Sequence, residues 1–296
     1  MPTAKRLLSD GWRVALVDIL EEEKAQGLLD NSADRAMYIK CDLANYEDQA
    51  QMYQDVWSKW GRLDAVIANG SIVDKQSLLM FDRRGSIELP PAPDLACTDV
   101  VAKGSIYAVR LATHFMRQNR NPGGHIVLVG SGAGLYSLPL WPEYASAKAA
   151  VSRVEFRLDL PFDYAGTMEA EHELGKQVMS YGRAMAPILK AKENILLNIV
   201  VPSIVRVGAI TGSDVLAGVG FAQTTSIESI VEAYVHYVNV ADTSGEMVEV
   251  SAEKPYVVPR QPLVNGEASR VCRDNWGPWF KMIHGEPSNI PGEQTW

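Results

Sequence analysis

Short apolar runs alternate with helix-forming stretches along this chain, and that alternation constrains the fold more than any other feature. Apolar runs bounded by turn residues predict strands, and apolar residues at a period of three to four predict helices. The predicted strands are 13–18, 37–40, 63–68, 125–130, 194–201 and 247–250, and the predicted helices are 3–10, 46–60, 97–118, a segment around 144, and 226–239. This order predicts an α/β fold with a doubly wound parallel sheet covered by helices on both faces.

A candidate proton-transfer site follows the strand predicted at 125–130. Tyr144 and Lys148 are four residues apart at the start of a predicted helix, so both side chains lie on one helix face. A free phenol has a pKa of ~10, and a neighbouring cation makes it a more useful acid or base near neutral pH. Ser131 stands at the end of the strand, where its hydroxyl could share a substrate oxygen with the phenol.

With this pattern, the segments Leu63–Ser71, His125–Lys148 and Asn198–Val205 resemble the short-chain dehydrogenase/reductase family, and within it the fungal relatives of 15-hydroxyprostaglandin dehydrogenase. The resemblance implies a Rossmann-like fold and hydride transfer between NAD(P) and a secondary alcohol or ketone. In the family a Ser holds the substrate oxygen, a Tyr transfers the proton, and a Lys binds the nicotinamide ribose and lowers the pKa of the Tyr. By resemblance these roles fall on Ser131, Tyr144 and Lys148.

Further cofactor contacts are expected outside the carboxyl ends of the strands, where ligands of such sheets bind. By resemblance, Asp18 would bond the adenosine ribose hydroxyls and favour NAD over NADP, because an acid repels a 2′-phosphate. Asp42 would face the adenine amino group. Asn69 matches the family's N-A-G turn and would contact the cofactor together with Lys148. The alternative for both aspartates is a local role as helix caps or turn residues.

The chain departs from the family at its start. A dinucleotide needs a strand, a glycine-rich turn and a helix N-terminus to hold its pyrophosphate, and the sequence begins within that helix. Gly130–Gly134 is not a substitute, because its spacing differs and it leads to Tyr144 rather than directly to a helix. The missing strand would be central, and each buried backbone group left unpaired costs roughly 1–3 kcal/mol against a margin of ~5–15 kcal/mol. The sheet is therefore expected to close up, to recruit another segment, or to be unstable.

A single α/β domain is expected over residues 1–258, followed by an aromatic-rich extension over 259–296 that packs on the domain or at a subunit interface. An insertion at about 152–178 interrupts the domain just after the Tyr144 helix begins. Alternating apolar residues in 154–160 predict an edge strand, and the charged stretch 167–177 predicts a solvated helix.

Two origins are open for these departures. Loss of a first exon with read-through of an intron would explain the short start and the insertion. Substitutions at family positions favour genuine divergence instead, since faulty splicing creates no point changes. One of them is the absence of an Asn between Asp94 and Met116, where the family anchors its proton-relay water, and Asp99 is the nearby stand-in.

The composition of the chain limits which kinds of binding partner are expected. The formal net charge is −8 and no Lys/Arg stripe forms, which argues against nucleic acid. No apolar stretch approaches the ~20 residues that a membrane helix needs, and the first residues lack the apolar core of a signal peptide, so a cytoplasmic protein with no membrane contact is expected. The three Cys form no C-x-x-C motif, so reduced thiols are expected rather than disulfides or a metal site. A homo-dimer or homo-tetramer is expected.

Three functions are open at this point. The first is an NAD-dependent enzyme acting on a secondary alcohol or ketone of a small apolar substrate, lipid-like or a secondary metabolite, under a lid formed by 204–225. The second is a cofactor-independent isomerase, dehydratase or cyclase, in which Tyr144 donates a proton and Ser131 polarises a carbonyl; such acid/base catalysis supplies ~10²–10⁴-fold. The third is a non-catalytic subunit that pairs with an active relative.

Overall fold

The structure is a computed structural model of the 296-residue chain. It describes residues 1–290 with the exception of 22, 24, 25, 30, 31, 33, 137, 152–153, 158–174, 179–180, 206–222, 261–265, 267, 269 and 271–275.

The regular elements agree closely with the predicted order. The strands are β1 (Val14–Asp18), β2 (Ala36–Lys40), β3 (Ala65–Ala68), β4 (Gly124–Val129), β5 (Val154–Arg157), β6 (Gly175–Val178), β7 (Ile195–Pro202), β8 (Met247–Ser251) and β9 (Lys254–Val257). The helices are α1 (Pro2–Ser9), α2 (Gln26–Leu29), α3 (Tyr46–Trp60), α4 (Ala96–Thr98), α5 (Gly104–Met116), α6 (Gly132–Tyr136), α7 (Pro142–Val151), α8 (Tyr181–Glu193), α9 (Ile227–Asn239) and α10 (Gly277–His284). Within the described chain, no helix combines the length and apolar content needed to cross a bilayer.

The main sheet has five strands in the order β3-β4-β7-β8-β9. Strands β3, β4, β7 and β8 are parallel to their neighbours, and β9 returns antiparallel to β8. Strands β1 and β2 form a separate parallel pair. The mostly parallel sheet between helices confirms the predicted α/β, doubly wound class.

The sheet is buried on both faces because successive side chains of a strand point to opposite sides. In β4, Ile126 and Leu128 join a core cluster with α3, α5 and α8, whereas Val127 and Val129 join a second cluster with α1 and α9. All four side chains are buried. Strand β4 is therefore the centre on which both helical layers pack.

The sheet does not close up across the place of the predicted missing strand. Among the described residues, β1 pairs only with β2 and β3 pairs only with β4. A cleft of about 1130 Å³ lies between them and is lined by residues of both strands. The sheet was expected to close up, to recruit another segment, or to be unstable. The first outcome, direct pairing of β1 with β3, does not occur in the described part of the chain.

Local signals explain the bounds of α3, which are the predicted ones. The side chain of Asn45 accepts hydrogen bonds from the backbone N–H groups of Glu47 and Asp48, which caps the first turn. Gly61 ends the helix with a φ of 63°, a left-handed conformation that favours glycine. The helix predicted at 97–118 is confirmed as one helical stretch over 96–116, which consists of α4, a π-helical turn at Asp99–Lys103, and α5.

Two predictions for the insertion have different outcomes. Strand β5 confirms the strand predicted within 154–160, and it pairs antiparallel with β6. The helix predicted at 167–177 is wrong for 175–177, which lie in β6, because pairing with β5 overrides local helix propensity. The rest of that stretch lies outside the described residues, as does most of the predicted lid at 204–225.

The aromatic-rich extension contributes α10, and its apolar side chains are mainly exposed. Trp279, Met282 and Ile283 are 64%, 70% and 67% exposed. Glu286 forms an ion pair with Lys192 of α8, which links the segment after α10 to the domain. That this extension covers the domain or a subunit interface stays a prediction.

The close contact between α5 and the turn after β2 can be tested with Gly104. A Cβ at this position would lie 2.7 Å from the Leu43 carbonyl oxygen, so Gly104→Ala is expected to lower the free energy of unfolding by about 1–3 kcal/mol. Gly27→Ala in α2 is the control, because a Cβ there meets nothing within 4 Å and should raise stability by up to about 1 kcal/mol. Urea unfolding measures both, and equal effects would contradict the close contact.

Candidate active site

The candidate site lies where β4 ends. The Nζ of Lys148 donates a hydrogen bond of 2.8 Å to the carbonyl oxygen of Val129, the last residue of β4. Lys148 is only 2% exposed. Its Nζ also lies 5.8 Å from the centroid of the Tyr144 ring. The lysine therefore ties helix α7 to the central strand, beside the phenol.

Two carboxylates set the position of the first turn of α7. Asp74 accepts hydrogen bonds from the backbone N–H of Glu143 (3.0 Å) and of Tyr144 (2.7 Å), satisfying donors that a helix start leaves free. The buried side chain of Glu143 accepts a hydrogen bond of 2.8 Å from the N–H of Thr98 in α4. The backbone of Tyr144 is thus held from two directions.

Two serine hydroxyls lie beside the phenol of Tyr144. Ser131, after β4, and Ser71, after β3, each act on the phenol through side-chain hydrogen bonding that lowers its pKa. The Oγ of Ser131 also accepts a bond of 3.2 Å from the N–H of Ala133. The ring of Trp141 meets the Tyr144 ring edge-on, with 6.2 Å between centroids. The site therefore combines three hydroxyls and a buried ammonium at the carboxyl ends of adjacent strands.

Burial shifts the acid–base properties of the pair. It raises the pKa of Tyr144, and the hydrogen bond from Ser131, with a smaller one from Ser71, acts in the opposite direction. Burial lowers the pKa of Lys148 to about 8. Lys148 is not among the groups that shift the pKa of Tyr144 here, and the lowering of that pKa by the lysine stays a prediction.

The residues expected to hold NAD lie at the same edge of the two sheets but also serve local turns. Oδ1 of the exposed Asp18, the last residue of β1, accepts the N–H of Leu20 at 3.2 Å. Oδ1 of Asp42, after β2, accepts the N–H of Ala44 at 2.9 Å. Each local bond uses one carboxylate oxygen of two. The pair can therefore serve as turn residues and still accept the hydroxyl or amino groups of an adenosine.

The side-chain oxygen of Asn69 is already used in a hydrogen bond within the protein. Its Oδ1 accepts a hydrogen bond of 2.9 Å from the hydroxyl of Tyr234, which is buried in α9. The amide nitrogen of Asn69 is the group that remains to face a ligand. The carboxylate acceptors of Asp18 and Asp42 and the amide donor of Asn69 thus suit the hydroxyl and amino groups of an adenosine.

Two sequence interpretations near the site need correction. Gly130–Gly134 does lead directly into a helix, α6, because the chain turns at Ser131 with its hydroxyl accepting the N–H two residues on. Asp99, the stand-in for the missing Asn, lies in the π-helical turn and forms an ion pair of 2.7 Å with Lys103 one turn along. Its carboxylate is thus engaged within its own helix.

A group of metal-type ligands lies behind the site. Ligand atoms of Asp74, Cys97 and Glu143 approach one another within 4.8 Å. Both carboxylates already accept backbone N–H bonds, and Cys97 Sγ donates to the carbonyl of Ile72 at 3.0 Å. Burial raises the pKa of the Cys97 thiol to about 12, so it is protonated near neutral pH, and a thiol binds metals as a thiolate. The cluster is therefore a structural support.

Sequence reasoning placed three site residues and missed the ones that position them. Ser131, Tyr144 and Lys148 are brought together, but Ser71, Asp74 and Glu143 were not identified. Asp74 is 69 residues from the amide it accepts, so no local spacing reveals it. Ser71 stood inside the quoted family turn, and its hydroxyl was the available signal.

The chain has similar sequences among known proteins. Residues 1–166 match the family model described as short chain dehydrogenase. The chain is 34% identical over 291 residues to short-chain dehydrogenase/reductase prx6 of Penicillium rubens, covering 97% of this chain and 88% of that protein. It is 29% identical over 157 residues to prx7 of the same fungus, covering 51% of this chain and 55% of that protein.

Solved structures show a similar fold. An apo SCOR enzyme from Clostridium thermocellum aligns with a TM-score of 0.59 and 17% identity, covering 85% of this chain and 86% of that one. A short-chain type dehydrogenase/reductase from Mycobacterium marinum aligns with a TM-score of 0.60 and 18% identity, covering 81% and 84%. At this identity the likeness concerns the fold.

The lowered pKa of Lys148 makes stability depend on pH in a testable direction. The pKa of a lysine is 10.5 in the unfolded chain and about 8 here, so between these values the unfolded state binds more protons and stability rises with pH. Relative to Lys148→Met, the wild type is expected to gain roughly 2–3 kcal/mol in free energy of unfolding from about pH 7 to about pH 10. Urea unfolding across this range measures it, with Lys59→Met as a surface control. A difference that is constant with pH would contradict the buried ammonium.

Proposed function

The chain belongs to the short-chain dehydrogenase/reductase family, and from that premise we propose that it exchanges hydride between a nicotinamide dinucleotide and a secondary alcohol or ketone of a small apolar substrate. The family makes it an oxidoreductase, and the substrate class is the further step. The observation that carries the proposal is the phenol of Tyr144, which lies beside the hydroxyls of Ser131 and Ser71 and beside the buried Lys148.

The residues divide the proton chemistry among them. Tyr144 stays protonated near neutral pH because burial raises its pKa, so in the reducing direction it donates its proton to the carbonyl oxygen. Ser131 donates a hydrogen bond to the same oxygen as negative charge develops there. Lys148, with a pKa of about 8, is close enough to neutrality to return a proton toward the phenol. A bound nicotinamide dinucleotide would supply the hydride.

Binding of the dinucleotide is proposed on Asp18, Asp42, Asn69 and Lys148. Asp18 and Asp42 follow β1 and β2, which puts both carboxylates at the edge of the sheet where ligands of such folds bind. An acid at the position of Asp18 repels a 2′-phosphate, which supports NAD rather than NADP.

An apolar substrate is supported by the walls of the site. Trp141 presents its ring to the phenol. Val73 and Leu140, which are close in sequence to Ser71 and Trp141, are apolar and are 39% and 59% exposed. An exposed apolar surface beside polar catalytic groups is what a hydrophobic ligand covers.

A cofactor-independent isomerase, dehydratase or cyclase is the second candidate. It is favoured by the pairing of a protonated phenol with two serine hydroxyls, which can donate to a substrate oxygen or carbon with no change in oxidation state. The two candidates share the proton donor and differ in whether a dinucleotide binds.

Removal of the phenol hydroxyl tests both candidates. Tyr144→Phe is expected to lower kcat by about 10²-fold or more, because the proton donor is lost, with NADH affinity changed little. NADH absorbance with a set of apolar ketones measures turnover, and calorimetry measures binding. Tyr256→Phe, an exposed tyrosine of β9, is the control that keeps activity. Undiminished turnover in Tyr144→Phe would rule out both candidates.

Asp18 tests the dinucleotide itself. The wild type is expected to bind NADH more tightly than NADPH, and Asp18→Ala to reduce that preference by about tenfold or more as one charge repulsion of ~1.4 kcal/mol is removed. Fluorescence titration with each dinucleotide measures the ratio. The absence of binding of either one, with turnover that still needs Tyr144, would favour the second candidate.

A further inference from the structure

Helix α7 begins without a capping side chain of its own. The carbonyl oxygen of Trp141 accepts the N–H of Ala145 at 2.8 Å, so Trp141 occupies the N-cap position. A residue at this position usually accepts the N–H groups of the second and third helical residues through a side-chain oxygen. The indole of Trp141 has only a donor and cannot do so. The amides of Glu143 and Tyr144 therefore need an acceptor from elsewhere in the chain.

Asp74, in the segment after β3, supplies that acceptor. Its Oδ2 accepts the N–H of Glu143 at 3.0 Å, and its Oδ1 accepts the N–H of Tyr144 at 2.7 Å. Both oxygens of one carboxylate are thus used on the two amides that an N-cap would serve. A negative charge is favourable at this end of the helix dipole, and hydrogen bonds to an ionised acceptor are stronger than neutral ones. Asp74 therefore caps α7 although it lies 69 residues before Glu143 in the sequence.

The segment that carries Asp74 is itself held against buried neighbours. The Sγ of the buried Cys97 donates a hydrogen bond of 3.0 Å to the carbonyl oxygen of Ile72. The buried carboxylate of Glu143 accepts the N–H of Thr98 at 2.8 Å. The segment after β3, helix α4 and the start of α7 are therefore linked pairwise in a closed set of contacts, which restricts the movement of Asp74.

Two anchors on α7 define where the phenol of Tyr144 lies. One turn after Tyr144, the Nζ of Lys148 bonds to the carbonyl oxygen of Val129. One contact point fixes a position on a helix but not its direction. Asp74 adds a second contact, on the backbone of Tyr144 itself. The phenol lies beside Ser71, which precedes Asp74 by three residues, so the same segment also sets how the phenol and this serine are placed relative to each other.

We propose that Asp74 is a positioning residue of the active site: as the cap of α7, it holds the phenol of Tyr144 where the proton is transferred. Asp74 acts through the backbone of Tyr144 and takes no proton in the reaction. The inference rests on the proposed function, because it concerns the same proton donor. Small displacements of a reacting group can lower a rate by about 10²-fold, so the loss of this cap is expected to act on kcat.

Replacement of Asp74 tests this role. Asp74→Ala removes both acceptor oxygens and is expected to lower kcat by about tenfold or more, with NADH affinity changed little. Asp74→Asn keeps the size of the side chain and one acceptor oxygen, so it is expected to retain more of kcat than Asp74→Ala. NADH absorbance at saturating dinucleotide measures kcat, and calorimetry measures binding. Equal kcat in the wild type and in Asp74→Ala would overturn the proposal.

Asn45→Ala is the matched control, because Asn45 caps α3 through the same kind of contact. Its Oδ1 accepts the N–H groups of Glu47 and Asp48 at 2.9 and 3.3 Å, and α3 contributes no residue to the candidate site. Both alanine variants are expected to lower the midpoint of thermal unfolding, and only Asp74→Ala is expected to lower kcat. A similar loss of kcat in both would reveal a general effect of destabilisation and overturn the proposal.

A double variant separates positioning of the phenol from other effects of Asp74. The remaining turnover of Tyr144→Phe is the reference. If Asp74 acts through the phenol hydroxyl, adding Asp74→Ala to Tyr144→Phe is expected to lower kcat by less than about twofold. Fully additive losses in the double variant would contradict the assigned role.

The position of the phenol can also be followed without turnover. Tyrosine labelled with carbon-13 at Cζ reports the pKa of each phenol by NMR, and the signal of Tyr144 is the one lost in Tyr144→Phe. Burial raises the pKa of Tyr144 above 10.0, so Asp74→Ala is expected to lower this pKa toward 10.0 as the first turn of α7 loosens. Asn45→Ala is expected to leave the pKa of Tyr144 unchanged.

Two results of this titration would overturn the proposal. One is an unchanged pKa of Tyr144 in Asp74→Ala. The other is an equal shift in Asp74→Asn, because that variant removes the same charge and keeps an acceptor. Absence of Tyr144-dependent turnover in the wild type would instead overturn the proposed function, and the titration would still decide the role of Asp74.

Discussion

One hydrogen bond, from the buried ammonium of Lys148 to the carbonyl of Val129, joins the helix that carries the phenol to the centre of the sheet. Strand β4 can hold this contact because it is paired on both sides and packed on both faces, so its last carbonyl has little freedom. Ser131 follows two residues after that carbonyl. The distance between the serine and the phenol is therefore fixed by the same strand that organises the core.

Burial of the anchoring Lys148 makes its charged form less favourable and lowers its pKa. Withdrawal from water favours the neutral forms of both Lys148 and Tyr144, moving one pKa down and the other up. Both groups start near pKa 10 in water, 10.0 for the phenol and 10.5 for the ammonium, so these shifts move the two pKa values apart and favour the state in which the phenol keeps its proton. Ser131 and Ser71 then tune the phenol in the other direction through their hydrogen bonds.

Much of the fold could be predicted because the spacing of apolar residues along the sequence determines whether a segment forms a strand or a helix. Helix α3 was predicted to its exact ends, since Asn45 and Gly61 mark them locally. Strand β9 and the β5–β6 pair were not predicted fully, because partners elsewhere in the chain decide them. The same holds for the site: Tyr144 and Lys148 are neighbours in sequence, whereas Asp74 reaches them only through the fold.

The outer edge of the main sheet, formed by β9, differs from the strand edges at the cleft between β1 and β3. Strand β9 begins Lys254-Pro255 and reverses direction against β8. A proline lacks the donor that a docking strand would use, and a charged lysine resists dehydration between stacked chains. Edge-to-edge association of this sheet is therefore disfavoured at the β9 edge. Any self-association through β-pairing would start at the cleft between β1 and β3, whose edges have neither the proline nor the lysine.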